Sequence, residues 1–259
     1  MEERAELSQK IENYIINEYS GVMSSNNIKK IIDVHLRGEE YELLYLILDH
    51  IMRHFHKEWG QVLDLGCGLG ELTNIFANHK VNIIGVEPDE NAIRIAKLRG
   101  LGHSLVRAVG EYLPLRDELV GTVISISTLE HVSDSKKVIN EALRVLKSRG
   151  ICLLYCPDYS SSFYEEHYKM FWLPFLTKAK SFAHFYLRIR GRKTNYIIGI
   201  NYITREKIKK AIGKHEYFDL TTLIAKTNFI LKRQKLTLYI RFRIWLNKLG
   251  RIWLMIIKT

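Results

Sequence analysis

The stretch Asp64-Leu-Gly-Cys-Gly-Leu-Gly70 gathers residues suited to holding a small ligand. Glycines at every second position let the backbone come close to a ligand and adopt conformations that a Cβ forbids. An apolar strand, Val62 to Leu65, runs into them, and a helical pattern starting at Glu71 presents free backbone N–H groups. A dinucleotide-binding turn would place its third glycine where this chain has Glu71. Here the strand ends on the Asp64 carboxylate, which repels a pyrophosphate and attracts a cation. A second acid, Glu87, closes the next apolar strand about twenty residues on, where a carboxylate accepts hydrogen bonds from both hydroxyls of a ribose. The pattern predicts a ligand that joins a nucleoside to positive charge.

Two histidines near predicted strand ends can move a proton close to neutral pH, His131 after the fourth strand and His167 in the segment after the fifth. Each has a plainer reading, His131 as a helix-start residue that shapes a pocket and His167 as a packed side chain. No metal-ligand spacing is visible. His50, His54 and His56 point in different directions around one helix without acidic companions, and the three cysteines, Cys67, Cys152 and Cys156, form neither a metal spacing nor a disulfide framework.

The elements that must position these residues alternate as an α/β fold does. After the glycine turn come a helix over 71–78, a strand over 81–86, a helix over 91–98 and a strand over 104–108. A strand over 122–127, a helix over 135–147 and a strand over 151–156 follow. Ahead of them, Tyr41, Leu44, Tyr45, Leu48, Ile51, Met52 and Phe55 repeat at helical spacing, which predicts an amphipathic helix over 39–56. Arg37 beside it reads as a solvated loop residue. Thr204 is a natural N-cap for a basic helix over 205–212. Phe218 to Ala225 reads as a sixth strand and Ile252 to Ile257 as the last. With 259 residues the chain can bury a sizeable core as one domain with an insertion. The amino terminus has no signal-peptide pattern, and no apolar run reaches membrane-spanning length.

Read together, Asp64 with the spaced glycines, Glu87, the Val109-Gly-Glu-Tyr-Leu-Pro stretch and Thr128-Leu-Glu-His131 resemble the ordered motifs of the class I S-adenosylmethionine-dependent methyltransferases, type 11-like members in particular. The resemblance covers roughly residues 58 to 158. It implies a Rossmann-like, seven-stranded, mostly parallel sheet with helices on both faces and an antiparallel last strand. It implies S-adenosylmethionine as cofactor, held by Asp64, Gly66, Cys67, Gly68, Gly70, Glu87, Pro88, Val109, Gly110, Glu111 and Ser127. The chain departs from the pattern at Val109, where the family carries an adenine-binding Asp, so recognition there falls to backbone near Gly110 and to Glu111. The implied organisation is an N-terminal helical segment over 1–57, the cofactor-binding core over 58–158, a lid over 159–201, and closing helices and strands over 202–259.

The acceptor side is written in composition. The net charge is +11, the second half carries most of the excess, and no acid follows Asp219. Aromatic residues crowd 163–196 with Arg188, Arg190, Arg192 and Lys193 among them. Glu165-Glu166-His167-Tyr168-Lys169 and the Phe-Trp-Leu-Pro-Phe that follows resemble members linked to bacterial cell-surface glycan and glycolipid assembly. That resemblance implies O-methylation of a sugar or lipid-linked acceptor by a cytoplasmic enzyme, docked peripherally on an anionic membrane through basic and aromatic groups that include Phe242 and Trp245 on a helical stripe. Alternatives are a small-molecule, quinone-like acceptor, an RNA acceptor drawn by the positive charge, and a non-catalytic protein on the same fold. Against RNA, no Asn-Pro-Pro-Tyr motif follows the fourth strand. The sequence leaves the oligomeric state open.

Overall fold

The computed structural model describes residues 2–231 and 250–259. Three helices open the chain, α1 (Glu2–Tyr19), α2 (Ser25–Arg37) and α3 (Glu39–His54). Gly38, at φ 72°, ends α2 and starts α3, a left-handed position that favours glycine. The alternating core follows: β1 (Val62–Leu65), α4 (Glu71–Asn78), β2 (Ile83–Glu87), α5 (Glu90–Ala96), β3 (Leu105–Arg107), β4 (Val120–Ile126), α6 (Ser135–Val145) and β5 (Leu146–Pro157). A short hairpin, β6 (Tyr164–Glu165) and β7 (Met170–Phe171), leads to α7 (Lys180–Ile189), α8 (Asn195–Gly199) and α9 (Arg205–Ile212). The chain closes with β8 (Glu216–Asp219), α10 (Thr221–Leu231) and β9 (Arg251–Ile257).

The main sheet has seven strands in the order β3-β2-β1-β4-β5-β9-β8. Neighbours from β3 to β5 pair parallel, while β9 pairs antiparallel with both β5 and β8. This is the Rossmann-like methyltransferase fold expected from the sequence, with the antiparallel strand inserted inside the sheet. Period-two alternation sends side chains to opposite faces. Ile151, Leu153 and Tyr155 of β5 join Trp253 and Met255 of β9 in a core beneath α3, α4 and α10. Cys152, Leu154 and Cys156 join Ile252, Leu254 and Ile256 in the core on the other face, with α6 and α9. Strand order reverses between β1 and β4, and the crevice beyond the carboxyl ends of strands at such a point is where open α/β sheets bind ligands.

One expectation changes. Of the strand predicted from Phe218 to Ala225 only Phe218 and Asp219 are extended, at the end of β8, and from Thr221 the run is helix α10. Asp219 Oδ1 accepts from the Thr221 N–H (3.0 Å) and so starts the helix, whose Ile224 packs in the same core as α3. A short apolar run without clear period fits either state. Of the predicted helical stripe of Leu231, Leu238, Phe242, Trp245 and Leu249, Leu231 ends α10 and the other four lie outside the described residues. His50, His54 and His56 are exposed, and Arg37 pairs with Asp33 on an exposed face.

A buried ionic cluster ties the N-terminal helices to the core. Glu71 Oε1, at the start of α4, meets His35 Nδ1 of α2 at 2.8 Å and Arg99 Nη2 at 2.5 Å. Arg99 Nε also donates to the Leu69 carbonyl (2.9 Å), so one guanidinium braces the glycine turn and the acid beside it. Replacing Glu71 by Ala leaves the largely enclosed Arg99 without its carboxylate, a situation worth roughly 3–5 kcal/mol. Urea unfolding of Glu71→Ala should show a loss of that order; a loss below about 1 kcal/mol, the range of an exposed pair, would refute the bracing role.

Candidate active site

A cavity of about 520 Å³ opens at the switch point between β1 and β4. Asp64, Gly66, Cys67 and Gly68 come to it from the end of β1 and its turn, Glu87 and Pro88 from the end of β2, and Val109, Gly110 and Glu111 from the loop after β3. Ser127, Thr128 and His131 come from the loop after β4. All ten predicted cofactor residues other than Gly70 thereby meet at the cavity. Gly70 does not line the cavity. It sits at φ 79°, and a Cβ there would come within 2.8 Å of Ala96 Cβ, so this glycine serves the packing of the turn against α5.

The other two glycines need no side chain for different reasons. A Cβ on Gly66 would lie 2.4 Å from Thr128 Oγ1, and that hydroxyl donates to the Leu65 carbonyl (2.9 Å), locking the β1 turn to the β4 loop. Gly68, at φ 53°, has nothing within 4 Å of its Cβ position and leaves its backbone open. Ser127 takes φ 53° at the end of β4, an unusual conformation for a residue with a side chain, and such positions collect at functional sites.

Acids dominate the wall. Glu18, Asp64, Glu71, Glu87 and Glu111 line the cavity, and no lysine or arginine does among the described residues. Asp64 is 3% exposed, and its Oδ2 accepts from Thr73 Oγ1 (2.6 Å). Burial pushes the Asp64 carboxyl up to about 7 against the lowering pull of Thr73, and the charges of Glu71 and Glu87 add to the rise. Glu87 accepts from the N–H groups of Gly68 and Asp89, both at 3.0 Å, and burial raises it as well. A carboxylate offers about four acceptor positions, so Glu87 keeps capacity for a ligand. Glu111 Oε1 accepts from the Ser133 and Asp134 N–H groups (2.7 and 3.2 Å), which anchors the loop after β4. Val109 stands 45% exposed at the cavity as an apolar patch where the family pattern has an acid.

The histidines predicted from the sequence meet. His167, carried on the β6–β7 hairpin, brings Nε2 to 3.1 Å from His131 Nε2, with the rings edge-on at 87°. His167 Nδ1 lies 2.8 Å from Glu165 Oε1, so that nitrogen donates to a fully buried carboxylate that also accepts from the Tyr168 N–H (2.7 Å). His131 lines the cavity, whereas His167 stands behind it. Desolvation of the His131 ring, with the nearby His167 adding to it, pushes this imidazole down to about 4. Burial works against the His167 imidazolium, but Glu165 outweighs it and raises that group. Glu130, adjacent in sequence, is 1% exposed, and its Oε2 has no hydrogen-bond partner.

Sequence reasoning missed the far wall. Tyr14, Glu18 and Tyr19 of α1, His35 of α2, Tyr41 of α3 and Tyr196 of α8 also line the cavity. Tyr14 Oη donates to Asp89 Oδ2 (2.9 Å), holding α1 over the end of β2. No motif marks these residues, since tertiary packing alone brings α1 to the sheet.

Residues 63–154 match the family described as "Methyltransferase domain". The matched stretch runs from β1 into β5. Over 93 residues the chain is 36% identical to an uncharacterized methyltransferase of Mycobacterium sp. (strain KMS), covering 36% of this chain and 37% of that protein. Over 95 residues it is 38% identical to another from Mycobacterium leprae (strain Br4923), covering 36% and 35%. The chain thus spans little more than a third of the length of the curated relatives it matches. The fold extends further. A SAM-dependent methyltransferase from Thermotoga maritima, described as a possible histamine N-methyltransferase, aligns with TM-score 0.52 and 18% identity over 95% of this chain and 99% of its own. The YcgJ protein of Bacillus subtilis aligns with TM-score 0.52 and 16% identity over 85% and 98%.

The raised Asp64 carboxyl has a consequence for stability. Its ordinary value is 3.8, so the folded, ligand-free chain holds this proton more tightly than the unfolded chain. Stability from this group is therefore full at acid pH and is lost as pH rises from about 4 through 7. Asp64→Asn should come closest to the wild type in urea unfolding near pH 4 and exceed it by more at pH 8. An equal difference at both pH values would contradict the assignment.

Proposed function

We propose that the chain is an S-adenosylmethionine-dependent methyltransferase that methylates a hydroxyl oxygen of a sugar or lipid-linked glycan at an anionic membrane surface. The observation that carries the methyl donor is the acid-lined cavity around an open glycine backbone. The donor joins a nucleoside to an ammonium and a sulfonium, and this wall offers buried carboxylates with no lysine or arginine among the described lining residues. A pyrophosphate would meet repulsion from the same groups. Asp64 and the turn at Gly66 and Gly68 would hold the charged end, Glu87 the ribose hydroxyls, and Val109 and Gly110 the flat face of the base.

When bound, the donor supplies an electrophilic methyl carbon whose bond to sulfur breaks as the acceptor oxygen bonds to it, leaving a neutral thioether. The chain must bring that oxygen to the cavity, exclude water and provide for its proton. Orientation of this kind supplies several kcal/mol of a barrier. His131 on the wall, backed by His167 and Glu165, is the place where the acceptor hydroxyl is activated. Segment 159–201 is the acceptor lid in this reading.

The membrane part rests on how that segment divides its aromatics. Tyr168 and Trp172 are fully buried, whereas Phe163, Phe171, Phe175, Phe182, Phe185 and Ile189 face outward, Phe182 and Phe185 at 66% exposure. Tyr186 Oη donates to the Phe171 carbonyl (3.0 Å), joining α7 to the hairpin, and Phe163 stacks beside Phe171. Residues 159–201 hold seven basic side chains and two acids. Both acids are engaged, Glu165 by His167 and Glu166 by Tyr155 and Arg251. An outward apolar patch among cations suits an anionic lipid interface, where each Lys or Arg contributes about 1 kcal/mol. Among the described residues no helix is long and apolar enough to cross a membrane. The hairpin that turns Phe163 and Phe171 outward also carries His167 to His131, which links the patch to the reaction centre.

Two experiments test this reading. Isothermal calorimetry with S-adenosylmethionine should show Asp64→Ala and Glu87→Ala each weakening binding at least tenfold, as loss of a charge-assisted contact of about 1.5–3 kcal/mol requires; wild-type affinity in both variants would overturn the donor site. Flotation should bring the protein up with phosphatidylglycerol-containing vesicles at low salt, less at high salt, and not with pure phosphatidylcholine. The double change Phe182→Ser, Phe185→Ser should abolish it. Wild-type protein that stays down with anionic vesicles, or that is retained by single-stranded RNA instead, would refute membrane docking.

A further inference from the structure

We infer that Glu130, His131 and His167 form a binding site for a divalent transition-metal ion of the zinc type, at the cavity wall where the acceptor oxygen arrives. The inference rests on the reading of His131 and His167 as the activating pair and specifies how they act, as ligands in place of a base. One imidazole nitrogen from each histidine and a carboxylate oxygen of Glu130 lie within 4.8 Å of one another. The two Nε2 atoms are 3.1 Å apart. Bonds of about 2.0–2.1 Å in a tetrahedral arrangement place two ligand nitrogens roughly 3.3 Å apart, so this edge of the polyhedron is already close to its final length. The separations to the carboxylate, at most 4.8 Å, must close by up to about 1.5 Å to complete a face with bonds of that length.

Two independent observations point to a ligand. Glu130 is 1% exposed, and its Oε2 is a buried acceptor with no donor. A buried, unpaired carboxylate oxygen is a costly arrangement that a cation at this point would relieve. Behind the site, Glu165 binds His167 Nδ1 at 2.8 Å and directs the Nε2 lone pair toward the shared point. A carboxylate on the far nitrogen is the usual outer-shell support of a metal-bound histidine. Two imidazoles and a carboxylate suit zinc and its neighbours, and three protein ligands leave a fourth position free, as catalytic sites do. His131 lines the cavity, so the free position is accessible from it. There the acceptor hydroxyl would bind the ion and lose its proton to solvent water. Its oxygen would then bond the methyl carbon while the carbon–sulfur bond breaks, with both electrons staying on sulfur. Metal binding lowers the pKa of a bound oxygen by many units, which removes the need for a strong base.

The test uses the full chain, stripped with chelator and titrated with Co²⁺ and Zn²⁺. One equivalent of Co²⁺ should give the visible absorption of a tetrahedral site, and Zn²⁺ should displace it. Glu130→Gln and His167→Gln should each lower affinity at least tenfold, Glu165→Gln by less, with circular dichroism unchanged. His50→Gln with His54→Gln, on the exposed face of α3, should leave the absorption as it is. Absence of stoichiometric Co²⁺ binding would overturn the site. The same spectrum and affinity in Glu130→Gln and His167→Gln would place the ion elsewhere and overturn it too. Calorimetry with S-adenosylmethionine separates the two readings: a chain that binds Co²⁺ as described but not the methyl donor keeps the metal site and loses the methyltransferase assignment, and the reverse result does the opposite.

Discussion

The structure depends on keeping carboxylates buried at the carboxyl ends of its parallel strands. Asp64 stands one residue before the end of β1, Glu87 closes β2, and Glu130 follows β4. Burial is the largest cause that raises each of them, to about 7 for Asp64 and Glu130, and neighbouring acids add to it. An unfolded chain would not suffer that penalty, so the rest of the molecule must hold these groups in place. It does so with local donors, Thr73 for Asp64 and the Gly68 and Asp89 N–H groups for Glu87. It also does so with a rigid sheet whose two apolar faces are filled from both sides. A site whose unliganded form is electrostatically unfavourable is one whose cationic ligand restores the balance.

That constraint explains why the glycines differ in purpose. Gly66 gives way to Thr128, which fastens the two strands flanking the crevice. Gly68 stays open toward the ligand, and Gly70 lets the turn lie against α5. Arg99 and Glu71 then hold the turn from outside, and the N-terminal helices close over the opposite wall. One continuous chain of contacts runs from α2 through Glu71 to the donor side of the cavity.

The sheet was legible from the sequence because each strand ends where its chemistry begins. Asp64, Glu87 and Pro157 mark strand ends as plainly as the glycines mark the turn. The last strand was equally clear, since Ile252 to Ile257 is apolar throughout and both its faces are buried. The helix over 221–231 was not, because a run with Thr221, Thr222 and Ile224 has no decisive period and its state is settled by packing beside α3. In the site, local residues could be named, while the cavity's far wall could not. Tyr14 and Tyr196 reach it by tertiary packing, and Glu130, His131 and His167 come together only because a hairpin well downstream folds back on the β4 loop.

The placement of β9 has a consequence for how the molecule is made. Strand β5 pairs along seven residues with β9, and β9 in turn carries β8. During synthesis β5 leaves the ribosome long before β9 does, so the nascent chain must carry an apolar, hydrogen-bond-hungry edge through the whole translation of the segments between them. Such an edge recruits any available strand, and larger chains are most prone to aggregate while such surfaces wait for partners. The nascent molecule is therefore exposed over this interval to mispairing with neighbouring chains.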